Sequence, residues 1–246
     1  MHHNSNRKHG LPRLRLYLIL IFSSFALTAC PPKTPSQSQL VDTRIAELIT
    51  SEIAYPADAI PNEQRAGQWL QYKSIDENGE PTLLTYKIIA SDGFNHSVEL
   101  VEEDYHGKHV TYMELRYDPG RDLKSLDVKR VLTRRGDSLP KESSPEDLSV
   151  KEGYHRVLAS QLFAPWADGI AGGDIAVGAG QFQGCLKIEI SLMIKGLIYR
   201  ADSWHHPALP MNGLVKAVRT DGTEGTLELL DFGLDGARSD VLRTVQ

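Results

Sequence analysis

"FQGCLKIEISLMI", residues 182–194, is the stretch on which the fold of this chain turns. Leu186, Ile188, Ile190, Leu192 and Ile194 alternate with Lys187, Glu189, Ser191, Met193 and Lys195. A period of two sends these sets to opposite faces of an extended strand. One face must then be buried, because a slip of one residue would turn every aliphatic side chain of the set to solvent.

Strand-like runs of the same kind continue on both sides. After it come runs near 197–204, 213–220 and 226–232, and before it "GQWLQYKSI", "TLLTYKIIA", "HSVELVEEDY", "KHVTYMELRY" and "LKSLDVKRVLT". Asn78-Gly79, Asp92-Gly93, His106-Gly107 and Asp118-Pro119-Gly120 mark reversals between the early runs, since glycine supplies the positive φ of tight hairpins. Two helices interrupt the pattern. Val41, Ile45, Leu48 and Ile49 make one apolar stripe, and Tyr154, Val157, Leu158 and Leu162 make another. About nine strands with two helices predict a mainly β (α+β) domain: a single curved antiparallel sheet or half-barrel, with an N-terminal helix and one inserted helix closing its concave face. The glycine-rich "DGIAGGDIAVGAG", 168–180, reads as a connecting loop.

The first thirty residues carry a different message. Arg7, Lys8, Arg13 and Arg15 precede the apolar run Leu16 to Leu27, with no acidic residue among them. Twelve residues fall short of the roughly 20 needed to cross a hydrocarbon core. A basic head, a short apolar middle and small residues at its end are the layout of a secretory signal peptide. Leu27, Thr28, Ala29 and Cys30 resemble the lipobox of bacterial lipoproteins, in which the cysteine thiol receives a diacylglycerol and the bond before it is cut. The resemblance implies a lipoprotein signal peptide over 1–29, an acylated Cys30 opening a flexible tether over 30–39, and a single domain over 40–246. Prolines 31, 32 and 35 and the small polar residues around them suit a tether. Two or three acyl chains, palmitate among them, anchor stably where one holds only marginally. Proline follows Cys30, not the aspartate that favours inner-membrane retention, so the resemblance places the protein at the outer membrane facing the periplasm.

Composition excludes other classes. The first 29 residues hold four of the 27 Lys and Arg and none of the 32 Asp and Glu, which leaves 23 basic against 32 acidic residues, a formal charge of −9. Such a surface repels nucleic acid. Lys129, Arg130, Arg134 and Arg135, the one basic cluster, read as a solvated strand end. With Cys30 acylated, Cys185 has no disulfide partner and reads as a small buried hydrophobe.

No motif names a cofactor. A Walker loop, a G-x-S-x-G elbow, an H-E-x-x-H and a C-x-x-C are all absent, and Gln183 takes the third glycine's place in G-x-G-x-x-G. Neither a cofactor, a metal nor a catalytic residue is expected. Asp104, His106 and His109 share one turn but lack a fourth ligand. In "YRADSWHHPALPMNGLVKA", 199–217, Asp202, Ser203, His205 and His206 are the residue types of a nucleophile and its base. Neighbours on a strand diverge, so this run reads first as a strand leading into a proline-stiffened corner.

"VGAGQFQGCLKIEI", "SWHHPALPMNGLVKA" and "GTLELLDFG", spanning residues 177–233, are similar to the closing strands of uncharacterised bacterial envelope lipoproteins. Those strands end a half-barrel of the kind seen in the carriers LolA and LolB. The similarity is to structural motifs and implies no catalytic residue. It supports the architecture and leaves the activity open. The leading reading is a protein held to the membrane through Cys30 that binds a lipid or other hydrophobic ligand in a concave groove, and the second is a packed, non-enzymatic scaffold that contacts proteins of envelope assembly. A hydrolase using Ser203 stands behind both. A concave face filled by Trp69, Trp166, Leu186, Ile188 and Ile190 would mark the scaffold, and a void of some hundreds of cubic ångströms the carrier.

Overall fold

The computed structural model describes residues 42–46, 52–118, 126–144, 162–163, 166–194 and 197–242. Cys30, the tether, the turn at Asp118-Pro119-Gly120 beyond its first residue and most of the two expected helices lie outside these residues. Twelve strands form one sheet: β1 (Ala54–Tyr55), β2 (Trp69–Ile75), β3 (Pro81–Ser91), β4 (Asn95–Asp104), β5 (Gly107–Arg116), β6 (Asp127–Arg135), β7 (Lys141–Glu142), β8 (Ile170–Val177), β9 (Gly180–Ile194), β10 (Leu197–His205), β11 (Leu214–Arg219) and β12 (Thr226–Gly233). All pairings are antiparallel except that of β1 with β9.

The sheet is two meanders joined side by side. β2 to β7 follow one another, β8 to β12 follow one another, and β12 closes against β2 from Thr226↔Ile75 to Gly233↔Trp69. The expected strands are all present. The turn glycines have the positive φ the hairpins demand, 77° at Gly79, 90° at Gly93 and 119° at Gly107. Two of the added strands, β1 and β7, are only two residues long.

The third addition corrects the reading of 168–180 as a loop: Ile170–Val177 is a strand paired with β9. Glycine composition hides it, since glycine weakens a strand. Here it serves close approach: a Cβ on Gly172 would stand 2.8 Å from the Trp204 ring. Gln181 and Phe182 pair with both β1 and β8, while Leu186 and Lys187 pair with both β8 and β10. Hence β8 holds one edge of β9, and β1 and β10 share the other.

Leu70 and Tyr72 of β2, Leu84, Tyr86 and Ile88 of β3, Val98 and Leu100 of β4, and Met113 and Leu115 of β5 are buried in one cluster with Ala201, Val215, Ala217, Leu227 and Leu229 of the second meander. That defines the inner face. It is sealed by Phe182 and Cys185, by Leu209 and Met211 of the loop 206–213, and by Leu162 and Phe163. Tyr55 stacks on Phe182 at 4.5 Å between centroids, and the Tyr72 hydroxyl donates to the Leu214 carbonyl at 2.9 Å.

The described part of the N-terminal helix, 42–46, does not close this face. Ile45 packs on Leu83 and Leu230, which point the other way. Its parity explains the placement: Leu83 alternates with the inner residues Leu84 and Tyr86 and so faces outward. The outer face carries a second patch, Val101, Val110, Tyr112 and Leu132, covered by Val241 of the C-terminal segment. Among the described residues, no helix is long and apolar enough to cross a membrane.

Candidate functional site

Asp202, Ser203, His205 and His206 end β10, and the structure sends them in three directions. Asp202 faces outward and pairs with Lys187 at 2.8 Å. Ser203 and His205, two apart, share the inner face, and Ser203 Oγ lies 2.9 Å from His205 Nε2. His206 diverges, as adjacent residues on a strand should, to meet the Gln183 carbonyl at 3.1 Å through Nε2.

The Ser203–His205 pair has the spacing of a nucleophile and base, but not the setting. Ser203 and His206 are fully buried and His205 nearly so. No substrate carbonyl can approach Ser203 Oγ in this structure. Hydrogen-bond roles tell the rest. His205 Nδ1 lies 2.8 Å from the Asn212 carbonyl, which only accepts, so the ring proton sits on Nδ1. Ser203 Oγ then has one hydrogen for two acceptors, Nε2 and the Ile188 carbonyl at 3.1 Å. Burial pushes the His205 pKa down to about 4, with the Asn212 carbonyl pulling the other way. The Trp166 ring lies parallel to the imidazole, 6.4 Å away. The cluster joins β9, β10 and the loop 206–213 as a strut.

Of the five residues expected to fill the inner face, Trp69 alternates with Leu70 and so faces outward, and Trp166 caps His205. Leu186, Ile188 and Ile190 lie opposite His205, Ser203 and Ala201 at the margin of the inner face, half-buried. Other residues fill the centre: Phe182, Tyr72, Leu100 and Met113 are almost wholly buried there. A shallow groove of about 590 Å³ opens at the tips of the β2–β3 and β11–β12 turns instead, lined by Ile75, Asp76, Val218 and Arg219 among others. Two of its charged groups are committed. Asp76 accepts from the Asn78 and Glu80 amides, and Arg219 pairs with Asp221 at 2.6 Å.

Asp104, His106 and His109 do not converge. Asp104 accepts the His106 amide at 2.7 Å, whereas His109 Nδ1 meets Glu102 at 3.1 Å. Among the described residues, no group of three or more metal-ligating side chains is placed to hold an ion. The basic cluster is neutralised in part: Lys129 pairs with Asp127, and Arg130 with Glu114 and Glu142. Cys185 is buried, its pKa pushed up to about 11, first by burial and then by Asp174.

What the sequence did not single out is Glu99. Its side chain is fully buried on the outer face, paired with Lys87 at 3.0 Å. It accepts from the Ser239 hydroxyl at 2.7 Å and from the Asp240 and Val241 amides at 2.9 and 3.1 Å. A lone carboxylate flanked by the aliphatic residues Val98, Leu100 and Val101 is the one signal in the sequence that could have found it.

No family model matches the chain, and no curated protein does. Among solved structures, a "putative lipoprotein" from Parabacteroides distasonis aligns over 71% of this chain and 97% of its own, at 12% identity and a TM-score of 0.36. A "putative exported protein with YmcC-like fold" from Bacteroides fragilis aligns over 72% of this chain and 100% of its own, at 12% identity and a TM-score of 0.33. Neither likeness is close enough to carry an argument about fold or function.

Proposed function

We propose that this chain is a lipid-anchored protein of the bacterial envelope whose domain acts as a non-enzymatic scaffold or accessory factor of envelope assembly. In this reading residues 1–29 are removed, Cys30 is acylated, 30–39 tether the domain, and the protein faces the periplasm from the outer membrane. The lipobox at 27–30 supports the anchoring. The filled inner face supports the scaffold: side chains of both meanders meet there, with Phe182 at the centre. That packing is the observation that carries the reading. The similarity of 177–233 to half-barrel lipoproteins belongs to the same proposal.

Anchoring is tested by Cys30→Ser with radiolabelled palmitate and detergent-phase partition. Both label and partition should be lost, and their retention would overturn the anchor. The scaffold is tested by extracting the purified protein and weighing the extract by mass spectrometry. It should carry no stoichiometric lipid.

A carrier is the second reading, favoured by the half-buried row Leu186, Ile188 and Ile190 beside Trp166. One equivalent of lipid per chain would establish it in place of the scaffold.

A further inference from the structure

His206 lies where a strand turns into the loop 206–213, and its ring is fully buried. Both nitrogens already have a role. Nε2 faces the Gln183 carbonyl at 3.1 Å, and because a carbonyl only accepts, the ring proton of the neutral form is there. Nδ1 accepts the Ala208 amide at 3.1 Å. A second proton would have to sit on Nδ1, on the line already held by the Ala208 N–H. Two donors cannot share that line.

The loop held in this way has a definite task. It buries Leu209 and Met211 against the inner face and returns the chain to β11. It closes on its own backbone, with the His206 amide donating to Gly213 at 2.8 Å and Leu209 to His206 at 3.2 Å. Met211 has φ 60°, a left-handed conformation unfavourable for a residue with a side chain. The loop is thus kept in a costly shape by a small set of bonds. Its outer hold is the Asn62 side-chain amide, which donates to the Ala208 carbonyl at 2.6 Å.

We propose that the loop 206–213 is an acid-released latch on the inner face, opened when a second proton on the His206 ring expels the Ala208 amide from Nδ1. The release is local. The loop leaves the margin beside Leu186 and Ile188 while the meanders stay paired.

Among the described residues, no opposite charge acts on the cation. On the elements packed about the ring, the ionisable side chains are Tyr55 of β1, Cys185 of β9 and His205 of β10. Lys187 and Asp202 of the same strands point outward, paired with each other. Asp58 and Glu63 of the segment between β1 and β2 are exposed, as is Asp174 of β8, which accepts the Gly184 amide. Phe182 presents its ring to the imidazole at 5.3 Å. Burial pulls the His206 ring below the ordinary histidine value, and the Gln183 and Pro56 carbonyls offset this only in part. His205 also binds the loop, through Asn212, but with Nδ1–H, a bond that both of its protonation states keep.

Amide hydrogen exchange of the full chain, corrected for intrinsic rates and followed from about pH 7 to pH 5, tests the latch. Protection of the Ala208 and Leu209 amides should fall by about tenfold per pH unit once the pH is below the ordinary histidine value. His206→Gln, a neutral side chain with an NH2 donor group and a carbonyl acceptor, should keep loop protection flat over this range. Loop protection that stays flat in the natural chain, or a fall that survives in His206→Gln, overturns the proposal. Should that variant not fold, NMR titration of the natural chain decides. The Ala208 amide shift must titrate with the same midpoint as the His206 ring, and a different midpoint overturns the proposal.

Discussion

The two faces of this sheet are held by different means. The inner face is one continuous apolar cluster, built from both meanders and sealed by Phe182, Leu209, Met211, Leu162 and Phe163. The outer face is a series of cross-strand ion pairs: Lys187–Asp202, Lys216–Glu228, Lys87–Glu99, Lys108–Glu103 and Arg130–Glu114. Its two apolar patches lie under segments near the chain ends, Ile45 over Leu83 and Leu230, and Val241 over Val101, Val110, Tyr112 and Leu132. Stability therefore resides inside. Apart from the buried Lys87–Glu99 pair, the outer face contributes little per pair, because exposed ion pairs are worth about 0.2–1 kcal/mol each.

That contrast can be broken at its strongest point first. Phe182→Ala empties the centre of the inner face and removes the partner of Tyr55, at a cost of about 3–5 kcal/mol. Urea denaturation should show this as a lower midpoint with an unchanged slope. A loss below 1 kcal/mol would mean that the inner face is not the seat of stability.

Acid should come next, and through the inner face. The fold keeps His205 neutral down to about pH 4, whereas the unfolded chain takes up that proton near the ordinary value of 6.5. The group leaves stability unchanged above pH 6.5 and lowers it as the pH falls from 6.5 toward 4, by about 3 kcal/mol in all. Denaturation at pH 7 and pH 4.5 measures the loss, and His205→Gln should remove most of it. An equal acid loss in that variant would shift the cause to other groups.

The smallest effect belongs outside. Lys216→Ala breaks the pair with Glu228, found at 2.6 Å between partly exposed side chains. It should cost less than about 1 kcal/mol and vanish in 1 M salt. A larger or salt-independent loss would mean that the outer pairs do more than keep that face wet.

Much of this division was legible in the sequence. Alternation in "FQGCLKIEISLMI" and its neighbours located the strands and assigned inner and outer sides, and Cys185 was read as buried. Alternation also sends the neighbours His205 and His206 apart, yet the setting of Ser203 and His205 depends on where the loop returns the Asn212 carbonyl, which no local pattern encodes. Strand β8 escapes the pattern because Gly172 and Gly173 look like a loop, although Gly172 serves close approach to Trp204. The helix on the outer face was misplaced because an apolar stripe says that a helix packs, not on which side. Apart from Lys87 on the neighbouring strand, Glu99 finds its partners 140 residues or more away in a segment, 237–242, that has no periodicity of its own.

The charged groups between the two outer patches have a mechanical meaning. Arg44 of the helical segment pairs with Glu103, Glu103 with Lys108, and Lys108 with Asp240 of the C-terminal segment. A pull on the chain ahead of Asp42 thus meets the middle strands β3, β4 and β12 before it reaches the two-residue β1. Load applied to the chain ahead of Asp42 would be spread across the breadth of the sheet instead of peeling it from a rim.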